Sequence, residues 1–160
     1  MTTITSSIEV DVPLSTAYNQ WTQFEEFPQF MEGVERVEQL DDTMLRWTAS
    51  IAGQERTWEA KILTQEPDRQ VSWAAVGDVV HAGTVTFHEL SPVRTRVDVE
   101  MEYEPQDWLE KAGDALNMIE RRVDGDLERF KEFIESRGVE SGAWRGRVEG
   151  GEETSGGPTV

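Results

Sequence analysis

A long amphipathic segment near the C-terminal end of the chain, residues 107–137, constrains the fold most strongly. Its apolar residues recur at steps of three and four, which places them on one stripe of a helix. Asp107 is placed to cap the start of this helix, with Glu110 three residues later, and Gly138 is placed for a left-handed C-cap. Such a helix would span about 45 Å and needs an apolar partner, because an isolated stripe would leave its side chains in water. The stripe consists of Leu109, Ala112, Leu116, Ile119, Val123, Leu127, Phe130 and Ile134.

The rest of the chain supplies that partner as a series of segments with alternating polarity. Short polar connections typical of hairpins separate most of them, so we expect about seven strands that pair mainly in antiparallel fashion. The predicted strands are residues 2–12, 34–40, 44–51, 56–64, 70–76, 82–90 and 95–103.

Two short helices are predicted between the first and second strands. Ser15 is placed to cap a helix that runs through Trp21. The following segment is dense in aromatic residues and is interrupted by Pro28, so we expect a break near Gln23 and a second helix that ends around Pro28 to Met31.

One face of the predicted sheet is apolar, and the long helix is the only element large enough to cover it. Large aromatic residues occupy matching inward positions on consecutive strands, with small residues beside them. Either the aromatic side chains fill the core, or they form the wall of a cavity. The large inward residues are Trp47, Trp58, Trp73 and Phe87, and the small ones are Ala49, Ala60 and Ala75.

The composition excludes several classes of function. The chain has 32 acidic and 15 basic residues, a formal net charge of -17, which repels phosphate backbones, so nucleic acid is not an expected partner. It has no Cys, which excludes disulfides and thiolate catalysis. No segment approaches the roughly 20 apolar residues of a membrane-spanning helix, and residues 1–10 lack the pattern of a secretory signal. We therefore expect a cytoplasmic protein, and the sequence indicates no particular protein partner.

The composition shifts after Gly138. Residues 139–160 are rich in Gly, have few apolar residues and show no periodicity, so we predict a disordered, Gly-rich acidic tail. Trp144 is the exception. It is either an exposed residue of that tail or docks on the domain or on a partner, because an exposed indole leaves a large apolar side chain in water.

Several stretches, in their order along the chain, carry a resemblance to a known family. They are residues 8–13, 17–21, 24–31, 73, 83–87, 95–97 and 125–131, which include the sequences IEVDVP, FEEFPQFM, GTVTF and GDLERFK. Together they resemble the START-like helix-grip superfamily of polyketide cyclase/dehydrase and lipid-transport proteins, in particular the branch similar to coenzyme Q-binding START proteins. The resemblance covers about residues 1–138.

The resemblance implies an α+β helix-grip fold with the order β-α-α-β6-α, in which a curved antiparallel sheet wraps around the C-terminal helix. It also implies a hydrophobic cavity between sheet and helix, closed at one end by the two short helices. Combined with the inward pattern of the strands, it predicts a cavity lined by Trp21, Phe27, Phe30, Met31, Trp47, Trp58, Trp73, Phe87, Met101, Tyr103, Leu116 and Ile119.

Signals for catalysis are sparse. His81 and His88 do not have the spacing of metal ligands, and no phosphate-binding loop or nucleophile elbow occurs, so no metal and no cofactor is predicted. His88 is expected on the outer face, whereas His81 precedes a strand and is a weak candidate for a functional group at a cavity mouth.

Few other polar groups are candidates for the cavity. Ser6 and Tyr103 have inward positions, and Arg46 and Arg56 lie near strand ends. The weak catalytic candidates are therefore Tyr103, Arg46, Arg56 and His81.

Three hypotheses remain open. The first is a binding or transport protein for a hydrophobic small molecule such as a lipid, a quinone or a polyketide-like compound. The second is an enzyme of the aromatase/cyclase or dehydratase type, which requires polar groups that converge in the cavity. The third is a protein-interaction domain with a filled core.

Overall fold

The computed structural model describes residues 2–51, 53–76, 81–103 and 115–153; at a few positions inside strands and at the start of the last helix it describes the backbone alone. We number the elements along the chain and write η1 for the short 3₁₀ helix. They are β1 (Thr2–Val10), α1 (Leu14–Trp21), η1 (Phe24–Gln29), β2 (Val34–Gln39), β3 (Met44–Ile51), β4 (Gln54–Glu66), β5 (Gln70–Val76), β6 (His81–Ser91), β7 (Arg94–Tyr103), α2 (Ala115–Arg137), β8 (Val148–Glu149) and β9 (Glu152–Glu153).

The first seven strands form one antiparallel sheet in the order β1-β7-β6-β5-β4-β3-β2. Register shifts between Ile62 and Thr64 in β4 and between Glu89 and Ser91 in β6 add local twist. The sheet curls into a half-barrel, and α2 packs on its inner face. The predicted α+β helix-grip fold is therefore confirmed.

The predicted strands agree closely with the structure. β3 and β5 begin and end at the predicted residues, and the other five differ by one or two residues at an end. The alternation is also correct, since Leu45, Ile62, Val71, Val85 and Val97 on the predicted inner face are fully buried.

The helices differ in their caps. Pro13, not Ser15, precedes α1, and no side chain caps this helix. Ser15 lies inside the first turn, and its Oγ donates to Oδ2 of Asp68 at 3.0 Å. η1 is a 3₁₀ helix that contains Pro28. At the end of α2, Gly138 has φ of 74° and its N–H donates to the Ile134 carbonyl at 2.8 Å, which confirms the left-handed C-cap.

The described part of α2 begins at residue 115, so the predicted start at Asp107 lies outside the described residues. Val123, Leu127, Phe130 and Ile134 of the predicted stripe are buried against the sheet. None of the helices in the described ranges has the length and apolar character needed to cross a membrane.

The segment after α2 differs from the expected disordered tail as far as residue 153. Val148 is fully buried and pairs with Gln65 of β4, and β9 pairs with β8. Trp144 is half-buried against the core, which corresponds to the docked alternative. Residues 154–160 lie outside the described residues, and the domain boundary at residue 138 stays a prediction.

Candidate functional site

Three indoles form a stack on the inner face of the sheet. Trp47 on β3 and Trp58 on β4 are direct cross-strand partners, with ring centroids 6.1 Å apart and planes only 4° apart. Trp47 also stacks on Trp73 of β5, at 5.8 Å and 24°. Stacked aromatic pairs contribute about 0.5–1.5 kcal/mol beyond the area that they bury. The stack is therefore a stiff wall across three neighbouring strands.

Small residues make the stack possible. Ala60 of β4 lies between β3 and β5 in the register, and its short side chain lets Trp47 and Trp73 meet across that strand. Gly83 of β6 lies opposite Trp73, and a Cβ at position 83 would be 2.5 Å from Trp73 Cζ2 and 3.0 Å from the sulfur of Met101. The structure therefore requires a residue without a side chain at position 83.

One end of the inner face is packed solid. α1 and η1, together called the cap, cover this end. Trp21 contacts Phe27, Phe30 and Phe130 at centroid distances of 5.2–5.5 Å, and these four side chains are at most 2% exposed. Side chains buried to this degree leave no space for a water-sized molecule beside them. Trp21, Phe27 and Phe30, which were predicted to line a cavity, are core residues in this structure.

The other end of the inner face, which we call the far end, is less closely packed. It lies around Trp58, Ala75 and Met101, where the strands end away from the cap and where α2 begins. Trp58, Ala75 and Met101 are half-buried, in contrast to Trp47, Trp73 and Phe87, which are 2–4% exposed. Met31, at the end of the cap, is also half-buried.

His81 and Tyr103 are brought together by the strand register. They are direct cross-strand partners at the far end, where β6 pairs with β7. The alternation along β6 and β7 assigns both positions to the face that carries Val85 and Val99. The side chains of His81, Tyr103, Leu116 and Ile119 lie outside the described residues.

The other polar candidates lie elsewhere. Arg46 is on the outer face, because its neighbours Leu45 and Trp47 face inward, and its Nη2 lies 3.1 Å from Glu59 Oε2. Arg56 is at the exposed start of β4, where it donates to Gln54. Ser6 donates to Asp124 of α2 at 2.5 Å. Arg46 therefore does not share a face with His81 and Tyr103.

His88 lies on the outer face, as predicted, with Nε2 3.0 Å from Asp98 Oδ2. A groove of about 630 Å³ is open on this face, and its lining is mainly hydroxyl and charged groups. Such a lining does not suit a hydrophobic ligand. The lining includes Thr5, Thr84, Thr86, Arg96, Asp98 and Glu100. Across the described ranges, no three His, Asp or Glu side chains converge as metal ligands would.

A polar clamp joins α2 to the loop between η1 and β2. Asp126 accepts from the backbone N–H of Glu32 at 2.9 Å and from Arg129 at 2.5 Å, and Arg129 Nε donates to the Phe30 carbonyl at 3.1 Å. Burial raises the pKa of Asp126 to about 6, and the Glu32 N–H and the Arg129 guanidinium offset this only in part. Arg122 extends the clamp by donating to the carbonyl of Ser50 at 3.4 Å.

Two buried polar side chains lie under the segment that follows α2. Tyr18 is fully buried, and Gln65 is 1% exposed. The Tyr18 hydroxyl lies beside the Gln65 amide, but neither group makes a hydrogen bond of normal geometry within the part of the chain that the structure describes. Burial raises the pKa of Tyr18 to about 12, although the Gln65 amide and Arg145 oppose this shift.

Sequence reasoning missed the Asp126 clamp and the contacts of Gln65. Asp126 is one of 32 acidic residues, and nothing in its spacing marks it. A signal for the segment after α2 was present in the positions of Trp144 and Val148, two apolar residues in a polar stretch.

Comparison with known proteins identifies the family. Residues 10–132 match the family described as polyketide cyclase / dehydrase and lipid transport. An uncharacterized 17.2 kDa protein of Streptomyces lincolnensis is 52% identical over 149 residues, which cover 92% of this chain and 99% of that protein.

Solved structures share the fold. The Zhui aromatase/cyclase of Streptomyces sp. R1128 is 18% identical with a TM-score of 0.74, over 89% of this chain and 99% of that one. A START superfamily protein of Mycobacterium smegmatis is 19% identical with a TM-score of 0.62, over 80% of this chain and 98% of that one. At this identity the two structures establish similarity of fold alone. By the match over residues 10–132, the chain belongs to the polyketide cyclase / dehydrase and lipid transport family.

Proposed function

We propose that this protein binds a hydrophobic small molecule, such as a lipid, a quinone or a polyketide-like compound, between the inner face of the sheet and α2. Membership of the family implies hydrophobic ligand binding or cyclase activity. The single observation that carries the proposal is the change in burial along one apolar face. The cap end is at most 2% exposed at its aromatic centre, whereas Trp58, Ala75 and Met101 at the far end are half-buried.

The proposed ligand therefore lies at the far end, beside the stacked indoles. Apolar surface that is only half covered gains about 25 cal/mol for each additional Å² removed from water. Trp58 supplies a rigid aromatic surface, Met101 an adaptable one, and Ala75 the space. Of the predicted cavity residues, we retain Trp58, Met101, Met31, Tyr103, Leu116 and Ile119 as the proposed lining.

A matched pair of substitutions in β5 tests this proposal. Ala75 lies on the inner face and Ala74, its neighbour, on the outer face, and both are half-buried. The probes are oleate, a short-chain ubiquinone and a hydroxyanthraquinone, each titrated while Trp fluorescence is recorded. We expect at least one probe to bind the parent protein, Ala75→Phe to weaken it at least about tenfold by filling the space, and Ala74→Phe to leave it unchanged.

Two results would count against the proposal. One is the absence of any fluorescence change with all three probes, together with no co-purified ligand in native mass spectra. The other is equal weakening by Ala74→Phe and Ala75→Phe, because that would indicate a general effect on folding.

A cyclase or dehydratase is the second candidate, favoured by the cross-strand pairing of His81 with Tyr103. A histidine and a phenol at one end of an apolar site are groups that can transfer protons to and from a ketone or enol. The test is conversion of a poly-β-ketone thioester, followed by mass spectrometry. If this candidate is correct, His81→Gln and Tyr103→Phe lower product formation while leaving probe binding intact. Binding of the probes without any conversion would exclude it for that substrate class.

A further inference from the structure

We propose that residues 139–153, which we call the strap, are a conformational fastening that holds α1 against the turn between β4 and β5. The strap is independent of the ligand site proposed above, since it lies at the cap end of the molecule. It passes along α1, crosses that turn and ends as two short strands on the edge of β4.

The first half of the strap is hydrogen-bonded to α1 and the residues after it. Gln20 accepts from the Ser141 N–H at 2.9 Å and donates to Ser141 Oγ at 3.0 Å. The Trp144 N–H donates to Thr22 Oγ1 at 3.0 Å. Gln20 and Thr22 are at most 3% exposed. Burial of two polar side chains is favourable only while these partners stay in place.

The middle of the strap carries the positive charges of this contact. Arg145 bonds to Asn19 Oδ1 at 2.7 Å, lies 2.9 Å from Asp68 Oδ2 and has its guanidinium 5.6 Å from the centre of the Tyr18 ring. Arg147 lies 3.7 Å from Glu66. In a chain of net charge -17, two arginines docked on a turn that carries Glu66 and Asp68 remove local repulsion.

The second half of the strap adds to the sheet. Val148 pairs with Gln65 and is fully buried, and the Gly151 N–H donates to the Leu63 carbonyl at 3.0 Å. The strap thus occupies the stretch of the β4 edge beyond the end of β3, where unpaired backbone groups would otherwise face water.

The strap holds its neighbours in place because of what it covers. Tyr18 and Gln65 lie beneath it, both at most 1% exposed. Opening the strap would admit water to Tyr18 and Gln65 and would remove the partners of Gln20 and Thr22. We therefore expect α1 to loosen when the strap opens, while the strands distant from it keep their protection.

The strap lies outside the part of the chain that matches the family, which ends at residue 132. The two solved structures cited above align over 98–99% of their own lengths but over only 80–89% of this chain. The Streptomyces lincolnensis relative, in contrast, aligns over 92% of this chain. Since the 22 residues after Gly138 exceed the 8% left unaligned, that relative has a counterpart to part of this segment.

Limited trypsin digestion tests the strap, because Arg145 and Arg147 are cleavage sites within it. The matched variants are Val148→Asp, which places a charge at a fully buried position, and Val139→Asp, at a position 60% exposed. Cleavage after Arg145 and Arg147 is followed by mass spectrometry. We expect it to be at least about tenfold faster in Val148→Asp than in the parent protein, and unchanged in Val139→Asp.

Hydrogen exchange supplies a second readout. Amides of residues 17–23 are expected to exchange about tenfold faster in Val148→Asp, with the β1–β7 pairing unaffected. If that variant does not fold, the double variant Arg145→Met/Arg147→Met replaces it, with a smaller expected increase of about threefold. The proposal is overturned if the parent protein is cleaved as fast as a synthetic peptide of residues 139–153, or if residues 17–23 exchange alike in all variants.

Discussion

The two ends of one apolar face differ in this protein. At the cap end, aromatic side chains from α1, η1, β3 and α2 contact one another edge to face and are almost fully buried. At the far end, the same sheet carries Trp58, Ala75 and Met101, and all three are half-buried. The residue types are similar, so the difference comes from what covers them.

The comparison indicates a division of tasks along the sheet. A close-packed aromatic cluster stabilises the fold because every ring has partner atoms on all sides. A half-covered apolar surface contributes less to stability and retains surface that a ligand can cover. The predictions below test this division, beginning with the largest expected effect.

Truncation of Phe27 should affect stability far more than truncation of Met101. Phe27 is fully buried, so Phe27→Ala leaves a cavity and should lower the free energy of unfolding by about 3–5 kcal/mol. Met101→Ala removes a half-buried side chain and should cost about 1–2 kcal/mol. Urea denaturation measures both. Equal losses would remove the distinction between the two ends.

A side chain at Gly83 should strain the indole stack. Gly83→Ala places a Cβ 2.5 Å from Trp73, and we expect a loss of about 1–3 kcal/mol in the free energy of unfolding and altered near-UV circular dichroism. Ala82→Ser, at the half-buried neighbouring position, is the control and should cost less than about 0.5 kcal/mol. An unchanged indole signal in Gly83→Ala would show that the stack is not closely packed against β6.

The clamp at Asp126 should give the stability a measurable pH dependence. A carboxyl whose pKa is raised to about 6 on folding contributes stability at low pH that is lost as the pH rises through 6. Relative to Asp126→Asn, the parent protein should lose about 1 kcal/mol in its free energy of unfolding between pH 5 and pH 7. Urea titrations at several pH values measure this difference. Parallel curves for the two proteins would contradict the raised pKa.

The smallest effect is expected on the outer face. Arg46 and Glu59 form an ion pair with side chains 41% and 45% exposed, and solvent screens such pairs strongly. Arg46→Met should change stability by less than about 0.5 kcal/mol and should leave probe binding unchanged. A large loss of binding in this variant would return Arg46 to the list of functional candidates.

Much of the fold could be predicted because it depends on local periodicity. Alternation in β3 and β5 gave both ends of each strand, and the three-and-four spacing gave Val123, Leu127, Phe130 and Ile134 as the buried stripe of α2. Packing density could not be predicted in the same way. Phe27 and Trp58 both have inward positions in the pattern, but whether space remains beside each depends on side chains from distant elements.

The strap was missed for a related reason. Its order depends on single contacts with residues far along the chain, such as Val148 with Gln65 and Arg145 with Asp68, and none of these contacts imposes a period on the sequence. The apolar residues Trp144 and Val148 were the available signal. Composition alone therefore favoured disorder for a segment that the structure places against α1 and β4.

Methyl NMR of the methionines tests the central claim most directly, namely that a hydrophobic ligand binds at the far end of the inner face. Met101 lies there, whereas Met44 lies on the outer face beside Leu45. With ¹³C-methyl methionine and the three probes named above, the account predicts a saturable shift of the Met101 signal and none for Met44. A Met101 signal that stays unchanged at saturating concentrations of all three probes would contradict it.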